Sequence, residues 1–297
     1  MSDSDVYIHN YKLLNKLGKG AFSTVFRGVH RIQQKMVAIK IEKEATTLKH
    51  ESKIISYLNR ELTSSENIPT LYWYGLYGTN SCMATTYYDT KLQDYIEKIW
   101  SSPEPFIKLL GLCEKCINVI RQVHSAYIVH SDIKPDNFMI DGRETLVIID
   151  FGLSSLFYNS QKDVYKENKK GENIIGSPKY ASYNLHLGNG ISCRDDLLSI
   201  GYMMMTIFKI EIPWSNMEEQ ESLLSLCHIR HPANIQRAKY KKFEMLKKYL
   251  DILAERNHSA KHFIVYYLIP YFEKIYALNY DDNPDHLSYK SMFITLY

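Results

Sequence analysis

A short stretch of the sequence, IVHSDIKPDNFMI at residues 128–140, places three chemically different polar side chains within six positions. Asp132 supplies a carboxylate, Lys134 a cation and Asn137 an amide oxygen. Phosphoryl transfer needs such a set, because an acid orients the attacking hydroxyl, a cation stabilises the transferred group and oxygen atoms bind a divalent metal. Asp150, in the motif DFG after the apolar run LVII, adds a second carboxylate for the metal. We therefore predict that Asp132 and Lys134 are catalytic and that Asn137 and Asp150 bind metal; the alternative is that Asp132 and Asn137 only cap turns.

A glycine-containing stretch near the N-terminus, LGKGAFSTV, lies between two segments with strand-like alternation. Gly18 and Gly20 lack a Cβ, so backbone N–H groups there can approach phosphate oxygens closely. Ser23 stands where a third glycine would complete the pattern GxGxxG, and for this stretch alone an ordinary β-turn is an equally good explanation. The predicted nucleotide-binding residues here are Leu17, Gly18, Lys19, Gly20, Ala21, Phe22, Ser23, Thr24 and Val25.

A lysine and a glutamate downstream strengthen this interpretation. Lys40 ends the strand pattern VAIK, and Glu51 lies in the helix pattern LKHESKIISYL. We predict that Lys40 bridges nucleotide phosphates and that Glu51 pairs with it, so both join the catalytic set and Lys40 also joins the nucleotide-binding set. The alternative is a surface lysine with a half-buried stem and a solvated glutamate, which the upstream glycines make less attractive.

The elements that must position these residues fall into a strand-rich part and a helix-rich part. β-Branched and alternating apolar residues predict strands within 11–30 and 35–43, and apolar spacing predicts a helix over Thr46–Asn59. From Gln93 onward the spacing is mostly helical, and residues 85–92 connect the two parts. The sequence therefore predicts an α+β fold with a small strand-rich lobe followed by a larger helical lobe.

Taken together, the motifs resemble those of protein kinases, and specifically those of the casein kinase I family. Beyond HSDIKPDNF and IIDFGL, the resemblance rests on LKHESKIISYLN, GSPKYASYNLHLG, CRDDLLSIGYMMM, IPW and NYDDNPDHLSYKSMF, from about Tyr11 to the C-terminus. The block SPKYAS is diagnostic, because most other kinases carry Ala-Pro-Glu there. The vaccinia-related kinases share parts of the pattern, but their loop usually reads HGD and they lack the paired acids Asp195 and Asp196.

The resemblance implies a bilobal serine/threonine protein kinase with a small antiparallel-sheet N-lobe and a larger, mainly helical C-lobe. It implies a single kinase domain over 1–297, with the N-lobe at about 11–85, a hinge at 86–92 and the C-lobe at 93–297. ATP and Mg²⁺ are the implied cofactors, and Ser and Thr hydroxyls of proteins are the implied acceptors.

Roles for four further side chains follow from the same resemblance. Thr85 matches the position that controls access behind the adenine, where the family usually has a larger Met, so we expect this site to admit bulkier inhibitors. Tyr88 lies in the hinge and, with Thr85, joins the predicted nucleotide-binding residues. Ser177 matches a hydroxyl beside the catalytic Asp and Lys. Asp196 matches a buried helix acid that braces the catalytic loop, although it could also be an N-capping Asp.

One departure from the kinase pattern concerns regulation. Most kinases have Arg where this chain has Ser131, and that Arg pairs with a phosphate on the activation segment. Because Ser cannot form that ion pair, we expect activity without activation-loop phosphorylation.

A second departure concerns the substrate. Casein kinase I enzymes read phosphate or acidic residues near the acceptor with a basic cluster, of which Lys179 and Lys169 are retained. After IPW, however, this chain carries acids where the family usually has basic residues: Glu218, Glu219 and Glu221. Opposing charges there should weaken binding of an anionic peptide.

Composition and charge exclude several other classes of partner. The net charge of +3 and the pI near 8.4 are too mild to indicate nucleic-acid binding, and the densest basic segment, 237–251, is interpreted as a solvated helix face rather than an anion-binding patch. No secretory h-region is present, and the apolar segment 263–272 is short and contains Pro270, so no membrane association is expected. The five Cys are expected to be free thiols. We expect an intracellular monomer in the nucleus, the cytoplasm or both.

Two rival functions remain. A pseudokinase scaffold that binds nucleotide would normally lack Lys40, Asp132 or Asp150, and none is lost. A small-molecule phosphotransferase with a kinase-like fold is the second rival, but Lys134 and the blocks SPKYAS and IPW favour a protein acceptor.

Overall fold

The computed structural model of the chain describes residues 6–20, 23–43, 47–159, 163–169, 176–215 and 237–294. It divides into two compact units. Unit 1 comprises Met1–Leu92 with Phe138–Leu153, and unit 2 comprises Gln93–Asn137 with Ser154–Tyr297. Strands dominate unit 1 and helices dominate unit 2, so the predicted α+β class is confirmed. The prediction of one kinase domain over the whole of 1–297 stays a prediction.

An antiparallel sheet forms most of unit 1. Its strands are β1 (Tyr7–Ile8), β2 (Tyr11–Lys19), β3 (Ser23–His30), β4 (Met36–Lys43), β5 (Leu71–Tyr77) and β6 (Asn80–Thr86), in the order β1-β2-β3-β4-β6-β5. Val37 and Ile39 of β4 are buried in the core of the sheet. Since successive side chains of a strand point to opposite faces, Lys40 projects from the other face, opposite Val25 and Met83 in the register.

The helix α1 (Thr47–Glu61) follows β4 and confirms the helix predicted there. The four apolar residues expected on one face are all buried: Leu48, Ile54, Ile55 and Leu58. Glu51 shares this buried face, because it lies one turn from Leu48 and from Ile55. A carboxylate in such a place is costly unless a cation or donor meets it.

A second, three-stranded sheet completes unit 1. It consists of β7 (Thr90–Lys91), β9 (Phe138–Ile140) and β10 (Leu146–Ile148), in the order β10-β9-β7. The turn between β9 and β10 closes on Asp141, whose carboxylate accepts the backbone N–H of Thr145 at 2.8 Å. Asn67 anchors β10 through its Nδ2, which donates to the Leu146 carbonyl at 2.6 Å. β10 thereby leads the chain to Asp150 in a defined direction.

Helices form most of the described part of unit 2, with four two-residue strands among them. The helices are α2 (Leu92–Trp100), α3 (Pro105–Ser125), α4 (Tyr183–His186), α5 (Cys193–Ile207), α6 (Phe243–Arg256), α7 (His258–Phe263), α8 (Ile269–Tyr276) and α9 (His286–Ser291). The strands are β8 (Ile128–Val129), β11 (Ser155–Leu156), β12 (Tyr158–Asn159) and β13 (Val164–Tyr165). A π-helical segment, Ile264–Leu268, joins α7 to α8. The almost fully buried α5 packs against α3 and α8, and α3 also packs against α9.

The structure corrects one expectation and leaves others outside its scope. Arg237 and Lys241 are fully buried, so the interpretation of 237–251 as a solvated face is wrong for these two residues. From Phe243 onward the segment is the amphipathic helix α6, as its apolar spacing indicates. Two groups of predicted functional residues lie outside the described part of the chain: Ala21 with Phe22, and Glu218, Glu219 and Glu221.

No helix within the described ranges has the length and apolar character needed to cross a lipid bilayer.

The packing of α5 against α8 predicts opposite effects for two glycine-to-alanine substitutions. A Cβ at Gly201 would lie closer than 3.0 Å to two atoms of the Phe272 ring, whereas a Cβ at Gly111, inside α3, would meet no atom of the described residues within 4 Å. Gly201→Ala should lower the free energy of unfolding by about 1–3 kcal/mol through overpacking. Gly111→Ala should raise it by roughly 0.5–1 kcal/mol through helix propensity. Urea unfolding of both variants tests this, and equal stabilisation by both would contradict the described packing.

Candidate active site

One cluster of charges in unit 1 joins β4, α1 and the DFG motif. The Nζ of Lys40 lies 2.8 Å from Oε2 of Glu51 and 3.0 Å from Oδ1 of Asp150. Glu51 is 4% exposed, Lys40 19% and Asp150 44%, so the cluster opens towards Asp150. Burial lowers the pKa of Lys40, but the charges of Glu51 and Asp150 outweigh it, so the net pKa is raised and the lysine stays protonated. A fixed cation beside an accessible carboxylate can bind phosphate and metal together.

The backbone at Asp150 is unusual and directs its side chain. Asp150 has a φ of 64°, in the left-handed region that few non-glycine residues adopt, although Asp is among those that tolerate it. Its Oδ1 also accepts a long hydrogen bond of 3.4 Å from the N–H of Gly152. The conformation thus holds the carboxylate towards Lys40.

The glycine-containing stretch forms the end of the β2–β3 hairpin. Gly18 pairs with Val25 and Lys19 with Thr24, and the N–H of Gly20 donates to the carbonyl of Ser23 at 2.8 Å. A Cβ added at Gly18 would meet no atom of the described residues within 4 Å, so nothing in that part of the chain covers the backbone on this side. This is the space that a phosphate group needs in order to reach backbone N–H groups.

A second cluster, in unit 2, surrounds Asp132. Its carboxylate accepts four hydrogen bonds: from Lys134 Nζ at 2.7 Å, Asn137 Nδ2 at 3.0 Å, Ser177 N at 2.9 Å and Ser177 Oγ at 2.8 Å. Lys134 Nζ also donates to Ser177 Oγ at 2.9 Å. These contacts occupy all the acceptor positions that a carboxylate offers. Asp132 is therefore held in one orientation, with a cation and a hydroxyl beside it.

Asn137 is oriented by the same network. Its Nδ2 donates to the Asp132 carbonyl at 2.8 Å as well as to the carboxylate, and both acceptors require the nitrogen rather than the oxygen of the amide. The amide oxygen consequently faces away from Asp132. Among the described residues, no group of three or more His, Cys, Asp and Glu side chains is placed to hold a metal ion. The amide oxygen of Asn137 and the carboxylate of Asp150 are each hard oxygen donors of the kind that a divalent cation prefers.

The loop that carries Asp132, residues 130–137, rests on a buried acid of α5. Asp196 is 1% exposed and accepts the N–H of His130 at 2.7 Å and that of Ser131 at 2.9 Å. The role of Asp196 as a brace for this loop is thereby confirmed. Its neighbour Asp195 has the capping role instead, since its Oδ2 accepts the N–H of Ser192, the N-cap of α5, at 2.8 Å.

Ser131 is buried in a strained conformation beneath the segment that carries Ser177. Its φ is 75°, and its Oγ has no hydrogen-bond partner among the described residues. A Cβ at Gly176, whose own φ is 83°, would overlap the carbonyl oxygen of Ser131, so only glycine fits there. This close contact brings Ser177 to Asp132.

The sequence analysis did not identify two histidines near Asp196, of which His124 contacts Asp196 and His286 contacts His124. His124 Nε2 lies 2.9 Å from Asp196 Oδ2, and His124 Nδ1 lies 2.8 Å from Nε2 of His286 in α9. Burial raises the pKa of Asp196, but the hydrogen bonds and positive potential of His124 and His130 outweigh it and lower the pKa, so Asp196 is a carboxylate. Burial, together with His124, lowers the pKa of His286 to about 3 and keeps that ring neutral. No local sequence pattern could indicate the contact between His124 and His286, because the two residues are 162 positions apart.

The structure thus groups the predicted catalytic and metal-binding residues into two clusters. Lys40, Glu51 and Asp150 meet in unit 1, and Asp132, Lys134 and Asn137 meet in unit 2. Thr85 lies on β6, paired with Ala38 of β4. The Tyr88 hydroxyl lies where burial raises its pKa to about 12. The catalytic and binding roles of all these residues stay predictions.

The family model of the protein kinase domain matches residues 11–270. The chain belongs to the protein kinase domain family. Protein kinases transfer a phosphoryl group from ATP to a protein hydroxyl with the help of divalent metal ions. The kinase part of the predicted identity is therefore confirmed, and membership of this family implies ATP with a divalent metal as cofactors and proteins as substrates in general.

The contact of His286 with His124, which in turn contacts Asp196, predicts that two substitutions at position 286 differ in their effects. His124 Nδ1 and His286 Nε2 lie 2.8 Å apart, and one of these buried nitrogens donates to the other. His286→Phe leaves His124 Nδ1 buried without this partner and should lower the free energy of unfolding by about 1–3 kcal/mol. It should also speed hydrogen exchange at the N–H groups of His130 and Ser131. His286→Gln has a side-chain amide that can donate or accept near the same place, so it should restore most of the stability and of the protection from exchange. Indistinguishable exchange in the two variants would contradict a supporting role for the His124–His286 hydrogen bond.

Proposed function

We propose that this kinase is an active serine/threonine protein kinase of the casein kinase I type, which transfers the γ-phosphoryl group of ATP to Ser and Thr hydroxyls of proteins. The observation that carries this proposal is the completeness of the two clusters. Lys40 is paired with Glu51 and Asp150, and Asp132 is held with Lys134 and Asn137. A chain that had become a scaffold would have no need to keep six functional side chains in these contacts.

Each of these side chains has a distinct role in the proposed reaction. Lys40 binds nucleotide phosphates, and Glu51 fixes the position of its ammonium group. Asn137 and Asp150 would hold Mg²⁺, which neutralises charge on the phosphates when bound. Lys134 stabilises the negative charge of the transferred group, since its Nζ is fixed between Asp132 and Ser177.

Asp132 is the proposed general base, and the network around it indicates how a substrate hydroxyl gains access. All four acceptor positions of the carboxylate are occupied, so one donor must yield before a substrate can donate. The Ser177 hydroxyl can yield because it rotates freely about its Cβ–Oγ bond, whereas the backbone N–H of Ser177 cannot. A substrate hydroxyl that replaces it lies beside the Lys134 ammonium, which supports a small aliphatic alcohol, Ser or Thr, as the acceptor.

The finer aspects of this proposal rest on the sequence. The casein kinase I assignment is supported by SPKYAS and by the paired acids Asp195 and Asp196, of which Asp196 braces the Asp132 loop. We also propose that the protein is an intracellular monomer of the nucleus or cytoplasm, with neither nucleic acid nor membrane among its partners. A nucleotide-binding pseudokinase is the alternative function; it would show an ATP-dependent thermal shift without phosphate transfer.

Mutation of the proposed base tests the function directly. Asp132→Asn removes the proton acceptor and should lower kcat for casein phosphorylation by roughly 10²–10⁴-fold. Asp136→Asn is the matched control, because Asp136 lies in the same turn but is exposed, and it should retain nearly the wild-type rate. Both variants should keep the ATP-dependent thermal shift. Absence of phosphorylation by the wild-type protein, with the thermal shift intact, would favour the pseudokinase.

Ser131 generates a prediction about regulation. Ser131 is buried and has no charge with which to pair a phosphate on the activation segment. Extensive phosphatase treatment of the purified protein should therefore leave its casein kinase activity unchanged relative to a mock-treated sample. Loss of activity on treatment, with recovery after incubation with ATP, would contradict phosphorylation-independent activity.

A further inference from the structure

A lysine that the sequence suggested to be solvated is completely buried just before α6. Lys241 is 0% exposed. Its Nζ lies 2.8 Å from the carbonyl oxygen of Pro178, 2.5 Å from that of Ala181 and 3.1 Å from Nε2 of His186. The carbonyl of Lys179 is farther away, at 3.4 Å. These partners precede Lys241 by 55 to 63 positions and belong to the segment around SPKYAS.

The close partners of the ammonium group are potential hydrogen-bond acceptors. It carries three N–H donors, and two carbonyl oxygens and one imidazole nitrogen of the described residues lie within 3.1 Å. Burial and the charge of Lys241 lower the pKa of His186 to about 2, so the imidazole is neutral beside the ammonium group. Its Nε2 also lies 3.2 Å from the Pro178 oxygen, so ammonium, imidazole and carbonyl form one polar cluster.

Two aromatic rings compensate the buried charge further. The Nζ of Lys241 lies 4.7 Å from the ring centroid of Trp214 and 5.2 Å from that of Tyr202. Such cation–π contacts are most favourable where water is excluded. A buried charge with one missing partner is strongly destabilising, so this degree of matching indicates a selected interaction rather than incidental packing.

Residues 177–181, which we call the Ser177 segment, have four consecutive carbonyls held in this way. Lys241 holds the carbonyls of Pro178 and Ala181. Between them, Trp214 Nε1 donates to the Lys179 carbonyl at 2.7 Å, and Ser199 Oγ donates to the Tyr180 carbonyl at 2.8 Å. The backbone of the segment therefore has little freedom to shift. Its first residue, Ser177, donates to Asp132 through both N–H and Oγ.

We propose that Lys241 is a positioning residue for the protein substrate: by fixing the Ser177 segment it holds Ser177 against Asp132 and Lys134, where the acceptor hydroxyl reacts. This inference rests on the proposed kinase function. The carbonyl, imidazole and aromatic partners of Lys241 all lie in unit 2, whereas the Lys40 cluster lies in unit 1. Loss of Lys241 should therefore impair use of the protein substrate without impairing use of ATP.

Lys241→Met tests the inference, because Met has a similar length and shape but no donor or charge. Lys242→Met is the matched control, since the neighbouring Lys242 is exposed. With casein as substrate, below the unfolding temperature of each variant, kcat/KM for casein should fall about 10- to 100-fold in Lys241→Met, because buried charge-assisted hydrogen bonds are lost. The KM for ATP and the ATP-dependent thermal shift should stay at wild-type values. Lys242→Met should match the wild type in every measurement.

The outcomes separate the inference from the function on which it rests. If Lys241→Met only lowers the Tm while its kinetics with casein are unchanged, Lys241 is structural and the inference is wrong. The same conclusion follows if KM for ATP rises as much as KM for casein. If neither the wild type nor Lys242→Met phosphorylates casein, the proposed function fails instead.

A second variant decides the question if Lys241→Met does not fold. Lys241→Arg keeps the charge, but its planar guanidinium cannot reproduce the three-way contact of the ammonium group. It should show the same selective loss of kcat/KM for casein, smaller in size, and wild-type kinetics with both substrates would overturn the inference.

Discussion

The buried carboxylate of Asp196 is the interaction on which the Asp132 loop depends. Ser131 in this loop has a left-handed φ of 75°, a conformation that costs on the order of 1–3 kcal/mol for a residue other than glycine. Asp196 accepts the N–H groups of His130 and Ser131, and hydrogen bonds to a charged group contribute about 1.5–3 kcal/mol each. The free energy of these two hydrogen bonds therefore exceeds the conformational cost of the left-handed Ser131. Without these hydrogen bonds, the strained backbone would relax and carry Asp132 out of position.

Three buried charges among the described residues are stabilised in the same way. Glu51 on the apolar face of α1 meets Lys40, Asp196 in α5 meets two backbone N–H groups and His124, and Lys241 meets two carbonyls and His186. In each case removal of one partner would leave the other charge or polar group buried and unsatisfied, which costs more than the pair contributes. The requirement for mutual satisfaction makes each cluster rigid. Rigidity is what a site for phosphoryl transfer needs, because the protein acts mainly by positioning and electrostatics.

Prediction from the sequence was accurate for features that residues close together in the sequence determine. The helix over α1, the strand that carries Lys40, and the grouping of Asp132, Lys134 and Asn137 on one loop all follow from local patterns. The pairing of Lys40 with Glu51 was also predicted, from a lysine at the end of a strand pattern and a glutamate in the helix pattern that follows it. His286 was missed because a single His after a turn carries no signal of its own. Arg237 and Lys241 were misinterpreted because alternating charge usually marks a solvated face.

The amino-acid sequence was sufficient for the kinase family, the fold class and the grouping of polar side chains on the Asp132 loop, because spacings of two to five residues place groups on one loop, strand or helix face. Three-dimensional packing was needed to establish which charges are buried and what satisfies them. The sequence around Lys241 is typical of a surface segment. In the structure, carbonyls some 60 positions earlier and two aromatic rings surround its ammonium group, and these contacts stabilise the buried charge. Local periodicity records the preference of a segment for water or core. It carries no information about a partner from elsewhere in the chain, and that partner determines whether a buried charge is stable.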